Sequence, residues 1–277
     1  YTVLNIQDLR GSNEGVDFLY GSNQANFIQG RGSVNFIDGR ENNDVLRAGS
    51  DYDVFLQELN SGQDNLVDFN PADDRVGIFD RGFTSHTQLN LSFDGQNTIA
   101  DLGAGDTVTF EGVDLTALSN AELDAIFVFN RQNGNANVPK NFNGTAENDL
   151  LKGGIFDDVL NGNDGNDILI GGGAASGYFS DGDLLNGGAG DDLLVDGMDG
   201  FTTFIGGPGD DRIQGVAIVY VNDETSFGDG NVLDYSSSTS GIIANLTSGM
   251  QGGLQARQVQ DGLGGTDHVS GVGSIRD

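Results

Sequence analysis

Gly153-Gly154-Ile155-Phe156-Asp157-Asp158-Val159-Leu160-Asn161 runs directly into Gly162-Asn163-Asp164-Gly165-Asn166-Asp167-Ile168-Leu169-Ile170. The phrase returns as Gly187-Gly188-Ala189-Gly190-Asp191-Asp192-Leu193-Leu194-Val195 and as Gly206-Gly207-Pro208-Gly209-Asp210-Asp211-Arg212-Ile213-Gln214. Each copy opens on glycine, carries an acidic sixth position and ends in a short apolar run whose eighth residue is large. A fixed period this short is the signature of a solenoid, in which each block buries its apolar residue against the next. The array extends from Gly144 to Gln214. It is interrupted by Gly173 to Asp181, returns to phase at Asp183-Leu184-Leu185, and contains one overlong block, Asp196 to Ile205, with no acidic sixth position.

A quieter copy precedes it. Blocks starting at Ser12, Gly21, Gly30, Gly39 and Ala48 place Leu19, Ile28, Ile37, Leu46 and Phe55 at the eighth position and Asp17, Asn26, Asn35, Asp44 and Asp53 at the sixth. The fourth-position glycine is mostly replaced, by Gln24, Ser33, Asn42 and Asp51. Asn65 to Phe69 and Arg75 to Phe79 flank a turn at Asn70-Pro71-Ala72-Asp73. Beyond it, Leu89 to Phe93, Thr98 to Leu102 and Thr107 to Phe110 alternate with glycine turns, which reads as antiparallel hairpins. Ser119 and Glu122 have capping-box spacing, predicting a short helix over Asn120 to Ile126. Residues 130–143, rich in Asn and holding Pro139, read as a linker. After Val216 the pattern changes to longer strands at Ala217 to Val221, Val232 to Tyr235 and Ile242 to Leu246. The last residues, Gly273 to Asp277, read as the opening of a repeat cut short, so the chain is expected to be a fragment. The expected organisation is therefore 1–129, a degenerate roll with hairpins; 130–143, a linker; and 144–277, a charged roll with a β extension.

Composition narrows the chemistry. Among 277 residues, 42 acidic against 12 basic side chains leave a formal charge of -30. Such a chain repels itself unless cations neutralise it, and it is a poor partner for nucleic acid or anionic membranes. The 36% apolar content in regular order argues against disorder. Zero cysteines exclude disulfides and thiolate metal sites. No apolar run reaches the length of a membrane span, and no signal-peptide pattern is visible at the first residues. There is no zinc-binding His pair, serine elbow or cysteine nucleophile, so no enzyme is expected. His86 and His268 read as surface residues.

The block suits a hard cation. Glycines allow close backbone approach, so carbonyls can turn toward a common point, and the acidic position supplies charged oxygen. An all-oxygen shell of that kind selects calcium over zinc or copper. If two blocks make one coil, one edge carries Asp149, Asp167, Asp192 and Asp211. The other edge carries Asp158 and Asp183 and then meets the defective block. More calcium is therefore expected on the first edge, and little or none in the first array, where every same-edge pair contains one Asn.

These residues resemble the RTX family of glycine- and aspartate-rich nonapeptide proteins, strongly over Gly144 to Gln214 and weakly over Ser12 to Leu56. The segments Asp64 to Phe129 and Val232 to Asp277 look like flanking regions common in that family. The resemblance implies an all-β fold, a right-handed parallel β-roll with flanking antiparallel hairpins, two nonapeptides per coil and calcium in the turns. It also implies type I export and folding outside the cell. Expected metal residues are Asp149, Asp158, Asp167, Asp183, Asp192 and Asp211, with Asp157, Asp164, Asp191 and Asp210 beside them, and Gly153, Gly162, Gly187 and Gly206 at the block starts. The expected cofactor is Ca2+. Expected partners are calcium ions, further copies of the chain, or cell-surface polysaccharide or matrix. The functional expectation is an extracellular structural or adhesive module that folds on binding calcium; the alternative is the folding and secretion module of a larger type I-secreted enzyme or toxin. Seventh positions Phe18, Phe27, Phe36, Val45 and Val54 are apolar, so they are either covered within the chain or form a partner surface.

Overall fold

The computed structural model describes residues 7–13, 16–32, 34–79, 81–133, 141–172, 182–196, 202–215, 232–234, 243–245, 258–260, 265–270 and 274–276. The chain forms two units, Tyr1–Asn130 and Arg131–Asp277.

In the first unit successive short strands alternate between two parallel stacks. Val16–Tyr20, Val34–Asp38, Asp53–Gln57 and Arg75–Ile78 follow one another in one stack. Asp8–Arg10, Phe27–Gln29, Val45–Arg47 and Gln63–Val67 follow one another in the other. Each coil therefore uses two nonapeptides, and Leu19 lies opposite Ile37, Ile28 opposite Leu46 and Ile37 opposite Phe55. Because side chains alternate faces along a strand, these eighth positions point inward and form one buried cluster. Burying each such side chain contributes about 1.5–3 kcal/mol. Phe55, Phe69, Phe110 and Phe127 extend the cluster as a chain of ring contacts at 6.0, 4.9 and 5.9 Å.

Gln63–Val67 and Arg75–Ile78 do not pair with each other across the Pro71 turn. They pair with Val45–Arg47 and Asp53–Gln57, adding a further coil to the roll. The turn therefore joins the two stacks, as every other turn of the roll does. Asn90–Phe93, Thr98–Gly103 and Asp106–Phe110 form the antiparallel meander, whose last strand runs parallel to Gln63–Val67. The helix spans Asn120–Ile126 with its capping box closed between Ser119 and Glu122, and it buries Leu123 and Ile126.

One surface expectation is corrected. His86 is buried, with Nδ1 2.5 Å from Asp124 Oδ1, because the capped turn His86–Gln88 presents the ring to the helix. His268 does lie exposed, with its ring 3.0 Å from the Gln258 amide. The apolar seventh positions form no open stripe. Phe36 and Val54 are fully buried, Phe18 stacks on Phe36 at 5.0 Å, and Phe27 and Val45 are half-buried.

The second unit repeats the plan. Asn141–Asn143, Val159–Asp164, Leu184–Ala189, Thr203–Ile205, Val232–Asp234 and Ser274–Arg276 stack in parallel. Asp149–Lys152, Ile168–Ile170, Leu193–Val195, Arg212–Gln214 and Thr266–Ser270 form the other parallel stack. Gln258–Gln260 and Ile243–Asn245 close that stack in antiparallel fashion. Leu151, Leu160, Leu169, Leu185, Leu194 and Ile213 fill the interior. Leu184 lies opposite Val159, so the roll resumes in phase after the Gly173 to Asp181 interruption. Within the stretch read as a linker, the strand Phe127–Asn133 runs in from one side and Asn141–Asn143 begins the second roll, with Phe142 in its core. The strand expected over Ala217 to Val221 lies outside the described residues.

Candidate metal centre: the acidic edges

The sixth-position carboxylates form ladders between coils. Asp167 Oδ1 accepts the Asp149 N–H at 2.7 Å, Asp192 Oδ1 that of Asp167 at 2.8 Å, and Asp211 Oδ1 that of Asp192 at 2.9 Å. On the opposite edge Asp183 Oδ1 accepts from Asp158 N at 2.8 Å. Leu184 pairs with Thr203, so the next rung on that edge is Thr202, whose hydroxyl donates to Asp196 at 2.8 Å. Each of these aspartates is at most 2% exposed.

The second carboxylate oxygens separate the sites. Asp149 Oδ2 accepts from Thr145 N at 2.5 Å, and Asp158 Oδ2 from Gly154 N at 2.6 Å. Those of Asp167, Asp192 and Asp211 are buried and have no hydrogen-bond partner among the described residues. A buried charged oxygen without a partner is costly and calls for an explanation. The glycine placement supplies one. A methyl group added at Gly162 would meet Asp167 Oδ2 at 2.1 Å and the Gly187 carbonyl oxygen at 2.3 Å. At Gly187 it would meet Asp192 Oδ2 at 2.2 Å and the Gly206 carbonyl oxygen at 2.8 Å. A carboxylate oxygen and the carbonyl of the next coil thus converge where a side chain is absent. At Gly206 the Asp211 oxygen takes the same place, and at Gly153 the Asp158 oxygen is joined by the Gly171 carbonyl.

Burial pushes these carboxyls up: Asp192 to about 7, Asp167 to about 8 and Asp211 to about 9, with neighbouring carboxylates adding to the rise. The row must therefore take up protons or a cation. Among the described residues no three carboxylate or imidazole side chains converge on one point. A cation there would draw most of its shell from backbone carbonyls, which suits calcium and its six to eight oxygens. Calcium bound there would supply positive charge to the row; Asp167, Asp192 and Asp211 and the gap left by glycine would hold it.

The fifth-position residues do different work. Asp191 Oδ1 accepts from Asp210 N at 2.9 Å, and Asn166 Oδ1 accepts from Asp191 N at 3.0 Å, forming an outer ladder at the surface. Asp191 and Asp210 are exposed and Asp157 is half-buried, and Asp164, at the third position of its block, is exposed too, so these four stand outside the buried row.

The first unit meets its edge carboxylates with its own donors. Asp17 Oδ2 accepts from Ser12 N at 2.6 Å and Asp53 Oδ2 from Gly49 N at 2.5 Å. Asp53 Oδ1 accepts from the Asn35 amide at 2.6 Å. Asp64 and Asp74 continue the two ladders by accepting from Asp44 N and Asp53 N at 2.9 and 3.0 Å. Their second oxygens accept from the Gln57 amide at 3.1 Å and from Asn70 N at 2.8 Å. At the end of that unit Asp106 is neutralised by the buried Arg81 guanidinium at 2.8 Å, which also binds the Leu102 and Glu58 carbonyls. Asp44 Oδ2 is the exception, without a partner beside Gly39.

Strict nine-residue counting misses Asp64 and Asp74, since Asp53, Asp64 and Asp74 are spaced eleven and ten apart. The signal was present in the triplets Asp64-Asn65-Leu66 and Asp74-Arg75-Val76, which keep acid and inward apolar residue two apart. Asp267 was missed as well. It accepts from Asp211 N at 3.2 Å, and Gly265-Thr266-Asp267-His268-Val269 has the fourth, sixth and eighth residues of a block.

Fold and edge together define a class: a parallel β-roll whose coils stack through buried acidic rows. The chain carries RTX calcium-binding nonapeptide repeats. The family described as "RTX calcium-binding nonapeptide repeat (4 copies)" matches residues 12–46, 20–55, 143–175, 179–195 and 196–215. The repeat is a structural module that binds calcium, so calcium is the cofactor, and such repeats occur in secreted bacterial proteins. Among the described residues no helix is long and apolar enough to cross a membrane. No curated protein matches the chain. Among solved structures, the extracellular lipase LipA from Serratia marcescens matches with 17% identity and a TM-score of 0.26, over 95% of this chain and 38% of that one. The chain thus spans well under half the length of that lipase, and a likeness this distant carries no argument.

Proposed function

We propose that this chain is an extracellular structural module whose second unit folds on binding calcium along the row Asp149, Asp167, Asp192 and Asp211, with fewer ions on the Asp158 and Asp183 edge. The observation that carries this reading is the set of buried second carboxylate oxygens at Asp167, Asp192 and Asp211, which have no hydrogen-bond partner among the described residues. The first unit is a roll that its own donors stabilise. An adhesive or self-assembling role at a cell surface is the finer part of this proposal. Calcium titration of the chelator-treated chain, followed by circular dichroism and by size, tests the reading. Gain of β signal with contraction is expected. Unchanged dichroism and size on adding or removing calcium would refute it, and a concentration series of the same samples tests self-assembly.

A further inference from the structure

We propose that a polar groove on the first unit binds a neutral saccharide. Its biological role rests on the adhesive reading above, whereas its structure is independent of calcium in the acidic row. The floor is the outward face of three strands. Leu66, Val108 and Ala100 point into the core, so by alternation Asn65, Thr109 and Ile99 face outward. They lie directly opposite one another across Gln63–Val67, Asp106–Phe110 and Thr98–Gly103. Thr107 lies opposite Gln63 in the next row. One wall is the turn at 94–97, where Asp94 Oδ1 accepts from Gln96 N and Asn97 N at 2.8 and 2.7 Å, and Asn97 Oδ1 accepts from Gly112 N at 3.0 Å. Toward the strand Val45–Arg47, Asn43 Oδ1 accepts from Gln63 N at 3.0 Å. The groove holds about 540 Å³, within the roughly 300–1,000 Å³ of small-ligand sites.

The lining has hydrogen-bonding capacity to spare. Asn65 Oδ1 has no partner among the described residues, and its amide nitrogen reaches Glu111 Oε2 only at 3.4 Å, longer than an ordinary N–H···O bond. Amides and hydroxyls both donate and accept, as every sugar hydroxyl does. The exposed Glu111 carboxylate only accepts, so it takes adjacent sugar hydroxyls in charge-assisted bonds. Neighbouring strands lie about 4.8 Å apart, which sets Asn65 and Thr109 about the width of a sugar ring from each other. Ile99 beside them offers an apolar surface to the C–H face of the ring. The charges select against other ligands. No Lys, Arg or His lines the groove, whereas Asp64 and Glu111 do, so an anion meets repulsion. Arg47, on the same face beyond Val67, is held by Asp68 at 2.6 Å. With one exposed carboxylate the groove does not suit a divalent cation. A wholly apolar ligand would leave these polar groups without partners.

The test uses the full chain in calcium chloride. Retention on immobilised dextran, mannan and galactan is compared with retention on alginate and heparin. Short oligosaccharides of the retained polymer are then titrated by calorimetry, with amide NMR shifts followed in parallel. The variants are Thr109→Val, which keeps the shape and loses the hydroxyl, and Glu111→Gln, which keeps the length and loses the charge. Thr203→Val in the second unit is the control. The expected result is retention on a neutral polymer, with shifts concentrated at Asn65, Thr107 and Thr109. Affinity falls about tenfold or more in each groove variant and is unchanged in the control. Retention on none of the neutral polymers, retention on the acidic polymers alone, or neutral binding that either groove variant leaves intact overturns the site. These outcomes are read on the first unit and stand apart from whether the second unit takes calcium.

Discussion

Replacing Asp192 with Asn should stabilise the calcium-free protein and remove much of its response to calcium. In the fold the Asp192 carboxyl is raised from 3.8 to about 7, chiefly by burial. Each pKa unit corresponds to about 1.36 kcal/mol, so holding this group ionised above pH 7 without a cation costs about 4 kcal/mol. That figure is an upper bound, because neighbouring carboxylates in the row share the penalty. Asn keeps the acceptor for the Asp167 N–H, now 2.8 Å from Asp192 Oδ1. Its neutral amide takes the place of the charged Oδ2, which has no hydrogen-bond partner among the described residues, in the gap that the Gly206 carbonyl also borders. Denaturant unfolding in chelator at about pH 8 should show the variant more stable by up to about 4 kcal/mol. In saturating calcium the order should reverse. A variant less stable than wild type in chelator would show that the row is satisfied without a cation and would refute the reasoning.

The pH dependence has a definite sign. Asp167 and Asp211 are raised to about 8 and about 9 from 3.8, so their stabilising contribution is complete below the unfolded value and is lost as pH rises through the folded ones. Thermal melting in chelator should therefore fall between about pH 5 and about pH 9, and calcium should flatten that fall by taking the place of the protons. Arg81→Met leaves buried Asp106 without its counter-charge, held only by the Asn60 and Gly62 N–H groups, a loss of up to about 3–5 kcal/mol. Amide exchange of Gln63–Val67 and Asp106–Phe110 should report the same loss with and without calcium; rescue by calcium would mean that a cation can take the place of the guanidinium.

The apolar ladder was legible because it is local: a strand sends alternate residues to opposite faces, so Leu19 through Phe55 and Leu160 through Ile213 had to line one interior. Two nonapeptides per coil, and with it the ladder order Asp149, Asp167, Asp192, Asp211, came from the family resemblance, whereas the helix at Asn120–Ile126 was readable from residue type and spacing in the same way. The partners of the second carboxylate oxygens were not. Whether Asp64 meets the Gln57 amide, or Asp106 the Arg81 guanidinium, depends on side chains brought together from turns that keep no fixed spacing. His86 was misread for the same reason, since its partner Asp124 is 38 residues away.

The sequence by itself determined the repeat, the inward face and the charge, because each is set within nine residues by backbone geometry and side-chain alternation. Tertiary structure alone decided which charges remain uncompensated. That outcome depends on burial and on donors from distant segments, and it separates a first unit whose edge carboxylates, Asp44 apart, meet protein donors from a second in which Asp167, Asp192 and Asp211 each keep an oxygen without a partner among the described residues.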